Sequence, residues 1–124
     1  PVPPTWRPRA STTIIFMLTH AGRYAMPTFI CFLNWTDQGA KTARESSKRY
    51  QASKSMAEKL GGRLLSAYVT TGQYDVVATV EMPTGEAMLK FASAISATGN
   101  ARTTTVRGYT PDEFSKLVTE APTP

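Results

Sequence analysis

At 124 residues and 41% hydrophobic, the chain is long enough for one domain around a single core. No run approaches the roughly 18 consecutive apolar residues of a membrane span, so no membrane partner is expected. The net charge of +5 argues little for a nucleic-acid partner: residues 1–25 hold Arg7, Arg9 and Arg23 and no acid, while the rest carries eleven Lys/Arg against nine Asp/Glu.

The opening segment, "PVPPTWRPRASTTIIFMLTHAGRYA", differs in kind from the rest of the chain. It has four Pro in its first eight residues and contains the sole His, His20. Its apolar run "IIFML" falls short of the roughly 7–15 residues of a secretory h-region, and "AGRYA" is a poor cleavage site. Gly22-Arg23 can be encoded by a purine run like a bacterial ribosome-binding site, two codons before Met26. The expectation is a non-native or disordered leader over 1–25, upstream of a true start at Met26, and a folded domain over 26–124.

From Met26 the elements alternate. "TFICFLNW" (28–35) is a strand of aromatic and β-branched residues, apolar on both faces. "TDQGAKTARESSKRYQASKSMAEKLGG" reads as one long helix, capped by Thr36 or Asp37 and ended by Gly61-Gly62. Ala43, Tyr50, Ala57 and Leu60 lie near one face of it, and Glu45 and Arg49 are spaced for an i,i+4 pair. "RLLSAYVTT" (63–71) is a second strand, and Gly72-Gln73 forms a tight turn into a third, "YDVVATVEM". In "GEAMLKFASAISAT", Met88, Phe91, Ala92 and Ile95 have amphipathic helical spacing, with Gly99-Asn100 as the stop. "ARTTTVRGY" is polar enough for an edge strand. In "TPDEFSKLVTE", Thr110, Pro111 and Glu113 mark a capped helix start.

The order β-α-β-β-α-β plus a terminal helix is the ferredoxin-like pattern of an α+β fold, a four-stranded antiparallel sheet with the first and third strands central. Helices cover only one face of such a sheet. The apolar residues of the other face then call for a second copy, so a homodimer or higher oligomer through the sheet face is expected. Cys31 is the sole cysteine and reads as a small buried hydrophobe, which fits a reducing cytoplasm.

"MPTFICFLNWTDQG", "ESSKR", "AEKLGG", "GQYDVVATVE", "GNARTTTVRGYT" and "DEF" together resemble the GYD-domain family of small bacterial and archaeal proteins. That family is named for the element that stands here as Gly72-Gln73-Tyr74-Asp75. The resemblance runs from Met26 to about Ala121, with Ser47 where family members often place Pro. It implies a fold of the dimeric α+β barrel type, a group that includes ligand-sensing domains and cofactor-free oxygenases.

The residues themselves offer little catalytic chemistry. With His20 in the leader, no Ser-His-Asp or Cys-His arrangement is available. Asp37, Glu45, Glu58, Asp75 and Glu81 are scattered without metal-ligand spacing, and no GxGxxG or P-loop occurs, so no cofactor or metal is expected. What remains is a polar set at strand ends: Trp35, Tyr74, Asp75, Asn100, Arg102 and Arg107. The first and third strands are expected to run parallel, which puts Asp75 at the end of the sheet that holds Arg107. Asp75 then either fixes the Gly72-Gln73 turn with Arg107 as counter-charge or joins the rim of a pocket in which Arg102 or Arg107 holds an anionic ligand. The functional expectation is a small-molecule-binding, sensor-type homo-oligomer; the alternative is a cofactor-free monooxygenase- or isomerase-like enzyme.

Overall fold

The computed structural model describes residues 26–124, and the expectations for residues 1–25 fall outside them. Four strands, β1 (Thr28–Trp35), β2 (Arg63–Val69), β3 (Val76–Glu81) and β4 (Ala101–Gly108), form one sheet in the order β2-β3-β1-β4. The two most apolar strands take the centre, where each has a strand on both sides, and the Thr-rich β4 takes an edge. Every neighbouring pair is antiparallel. The parallel relation expected for the first and third strands is therefore wrong. In this topology the crossover helix makes β1 parallel to β2, and β3 runs between them in the opposite sense.

That reversal moves Asp75 to the other end of the sheet. Leu33 pairs with Val76 at the start of β3, and Trp35 pairs with Ala101 at the start of β4. Arg107 pairs with Phe29 at the far end of β1. It donates to the Thr28 and Gly108 carbonyls and lies 4.2 Å from the centre of the Tyr109 ring. It is not the counter-charge of Asp75.

The long helix expected after β1 is broken. Thr36, not Asp37, caps α1 (Asp37–Lys41), accepting from the Gly39 N–H. A 3-10 turn (Ala43–Glu45) follows, and then α2 (Ser46–Lys59). The break at Thr42 is held by Arg49, which donates to the Gly39 and Thr42 carbonyls at 3.1 and 2.8 Å. Arg49 is thus not the partner of Glu45, which pairs with Lys48 at 3.6 Å. Gly61 has a φ of 83° and closes α2 as expected: Gly61 N–H bonds the Glu58 carbonyl and Gly62 N–H the Ala57 carbonyl.

Thr84 caps α3 (Gly85–Ala97), and the Thr110–Glu113 capping box opens α4 (Pro111–Thr119). The core lies between the sheet and α2 and α3. Cys31, Val80, Met82 and Phe91 are fully buried, with Ala57, Leu64, Ala78 and Met88 around them. Among the described residues no helix is long and apolar enough to cross a membrane.

Candidate functional site

The inward side of α2 can be read from its burial. Ser46, Arg49, Ser53, Met56, Ala57 and Leu60 recur at helical spacing and are the residues of this segment withdrawn from solvent. The C-terminal half of that row is apolar and packs on the core. The N-terminal half is Ser, Arg and Ser, too small or too polar to fill the space above β1 and β3. A cavity of about 400 Å3 results.

Its floor is Cys31 and Leu33 of β1, Leu64 and Ala67 of β2, and Val76 and Ala78 of β3. Met56 of α2 and Phe91 and Ile95 of α3 form walls, and Ser46, Arg49, Tyr50 and Ser53 bring polar atoms from the α2 side. At one end stand Trp35 and Asn100. Burial pushes the Cys31 thiol above its ordinary pKa, and a hydrogen bond from Thr105 acts more weakly in the other direction. No Asp or Glu lines the cavity, and the described residues contain no group of three or more His, Cys, Asp or Glu placed to hold a metal.

The six residues selected from sequence divide. Trp35 and Asn100 line the cavity. Asn100 also joins β4 to α1: its backbone carbonyl accepts from Thr36 N–H at 3.0 Å and its side-chain oxygen from Gln38 at 2.8 Å. Asp75 stands beside Trp35 and accepts its N–H at 2.9 Å, while Asp75 N–H donates to the Leu33 carbonyl. The carboxylate thus supplies the acceptor that continues the β1–β3 pairing just where the backbone of β3 turns away. Across the connection, the Asp75 carbonyl accepts from Thr70 N–H, and Thr70 Oγ1 donates to the Tyr74 carbonyl. The turn is accordingly wider than Gly72-Gln73 alone. Tyr74 packs on Phe32, ring centres 4.7 Å apart, on the opposite face of the sheet. Arg102 pairs with Asn34 on that same face, and neither Arg102 nor Arg107 lines the cavity.

Ser46 and Ser53 are not among the site residues read from sequence, and Arg49 enters there only as a partner for Glu45. Their signal was the seven-residue spacing of Ser46 and Ser53 with Arg49 between, a polar row on the side of a helix that must face the sheet.

A four-stranded antiparallel sheet with two helices on one face and an apolar cavity between the layers defines an α+β protein of the ferredoxin-like class. Within that class, the chain belongs to the GYD domain family, whose model matches residues 29–118. A curated relative from Thermus thermophilus, named glutamine synthetase and cystathionine beta-lyase binding protein, is 28% identical over 82 residues, 65% of this chain and 86% of the relative. Among solved structures, a protein from Thermus thermophilus aligns with a TM-score of 0.44 and 23% identity over 68% of this chain and 95% of its own. The leucine response regulatory protein of Mycobacterium tuberculosis aligns with a TM-score of 0.48 and 15% identity over 74% of this chain, which spans 55% of that longer protein.

Proposed function

We propose that the protein is a small homo-oligomer that binds a small molecule in the cavity beneath α2, in a sensor-type role and a cytoplasmic setting. The cavity carries this reading. It is a concave cleft with a continuous apolar floor, and its volume of about 400 Å3 falls in the range of ligand sites. Apolar walls with a few polar groups at one side are the usual composition of a site that orients what it binds.

Self-association is supported by the other face of the sheet. Ile30, Phe32, Val77 and Val106 share that face, and among the described residues no helix of the core layer lies on it. The enzyme alternative draws no such support, since no described carboxylate reaches the cavity to act as a general acid or base.

Native mass spectrometry of protein purified from its own host tests the reading. The expected result is a retained small molecule that is absent from an Ala67→Phe variant with an unchanged melting curve. An empty parent that also binds no apolar probe would overturn it.

A second reading, docking on another protein, is favoured by α4. Phe114, Leu117 and Val118 form one apolar stripe and are each at least half exposed. The Thermus thermophilus relative is named for binding two enzymes, and α4 is the surface on which this chain would do the same. Removing residues 111–124 is expected to abolish such docking in a pull-down and to leave ligand retention intact.

A further inference from the structure

We propose that the cavity takes an amphipathic monocarboxylate, with its apolar body on the sheet floor and its carboxylate on Arg49. The inference rests on the cavity being a ligand site. Arg49 is the one cationic side chain among the described residues lining the cavity, and it is partly buried. Its hydrogen bonds go to the Gly39 and Thr42 carbonyls and the Thr42 hydroxyl, all neutral acceptors. The ion pairs among the described residues are Lys48–Glu45 and Arg63–Glu81, and neither involves it.

A guanidinium beside an apolar space with no described carboxylate paired to it leaves its charge available to a bound anion. The two carbonyls fix the plane of the group and leave Nε without a hydrogen bond to any described residue. Those bonds use both N–H groups of Nη2 and one of Nη1, so Nε–H stays free among the described residues, and a carboxylate is a singly charged anion that can accept a charge-assisted hydrogen bond from it. Ser46 and Ser47, at the start of α2, line the same space, so the helix dipole adds a favourable potential for negative charge.

A single cation in the described lining limits the ligand to one charge. Cys31, Leu33, Leu64, Ala78, Phe91 and Ile95 offer no further partner for an anion. Arg102 and Arg107 lie outside the cavity, so a polyphosphate or dicarboxylate would leave charge unpaired on an apolar floor. Taking roughly 30 Å3 per water-sized group, the volume suits a body of about ten to thirteen such groups.

Decanoate and decanol, used below their aggregation concentrations, share a chain and differ in the charge of the head. Titration calorimetry on the full chain should show decanoate binding at least about tenfold more tightly than decanol, the difference expected of a charge-assisted pair. Arg49→Gln also removes the ties to Gly39 and Thr42, so it should weaken both ligands, decanoate by about tenfold more than decanol, and equal weakening of the two would overturn the carboxylate assignment. Ala67→Phe should abolish both.

Equal affinities in the parent, or decanol alone binding, would overturn the carboxylate assignment and leave the cavity reading standing. No binding of either would overturn both. Decanoate binding that survives Ala67→Phe would place it elsewhere and overturn the proposal. If Arg49→Gln does not fold, the decanoate-to-decanol ratio of the parent decides, measured at pH 7 and again below the carboxyl pKa of about 4–5, where the preference should vanish.

Discussion

Asp75 acts at the level of single atoms. Its carboxylate holds the Trp35 N–H, and its own N–H holds the Leu33 carbonyl, so one residue ties the ends of two central strands. Asp75→Ala strands a partly buried donor, and the expected cost is about 1–3 kcal/mol in denaturant melts. Asp75→Asn keeps an acceptor and should cost less. Parent-like stability in both variants would refute the clamp. Cys31 gives a second test at this scale. Burial raises its thiol pKa, so the folded chain binds that proton more tightly than the unfolded chain does. Its contribution is intact below the ordinary thiol pKa of about 8.5 and is lost as pH rises above it. Stability should therefore fall more steeply between pH 7 and 10 in the parent than in Cys31→Ala.

The break between α1 and α2 shows what an element needs beyond its own propensity. Gly39 is buried in α1 against β4, and a Cβ there would stand 1.9 Å from the Asn100 carbonyl oxygen. That neighbour is backbone and cannot swing aside. Gly39→Ala should cost at least the upper end of overpacking, about 3 kcal/mol, seen as a large drop in Tm. Helix α4 behaves in the opposite way. Its capping box is complete, yet its apolar stripe is exposed, so its helicity depends on local terms. Thr110→Ala should remove about 1 kcal/mol from that helix alone. Circular dichroism should then lose part of its helical signal while the global melting midpoint scarcely moves.

At the scale of the molecule, the sheet has two unlike faces. One packs on helices and encloses the cavity; the other presents Ile30, Phe32, Val77 and Val106, the last 43% exposed among the described residues. Val106→Lys adds a charge to the middle of that surface. If the face joins two copies, sedimentation should show the parent as a dimer or larger and the variant shifted towards monomer. A parent that sediments as a monomer at micromolar concentration would end the oligomer reading.

Local signals carried the element types. β1 was bounded correctly by composition, α4 by its capping box, and the ends of α2 and α3 by Gly61 and Gly99, whose φ values of 83° and 79° suit glycine. The central placement of β1 and β3 was also legible, because a strand apolar on both faces must be covered on both. Strand direction was legible as well, since a β-α-β crossover followed by a hairpin sets β3 antiparallel to β1, and the parallel expectation went against that order. That single geometric fact set Asp75 beside Trp35 rather than Arg107. Sequence could not show that Ser46, Arg49 and Ser53 would roof a cavity: the end of α2 was readable, but the break at Thr42 that fixes its rotation depends on Arg49 reaching two carbonyls across the turn. Propensity and pattern act within a few residues and determined what each segment became. The candidate site is made by residues as distant as Trp35, Arg49 and Asn100, which only the packing of sheet and helices brings together.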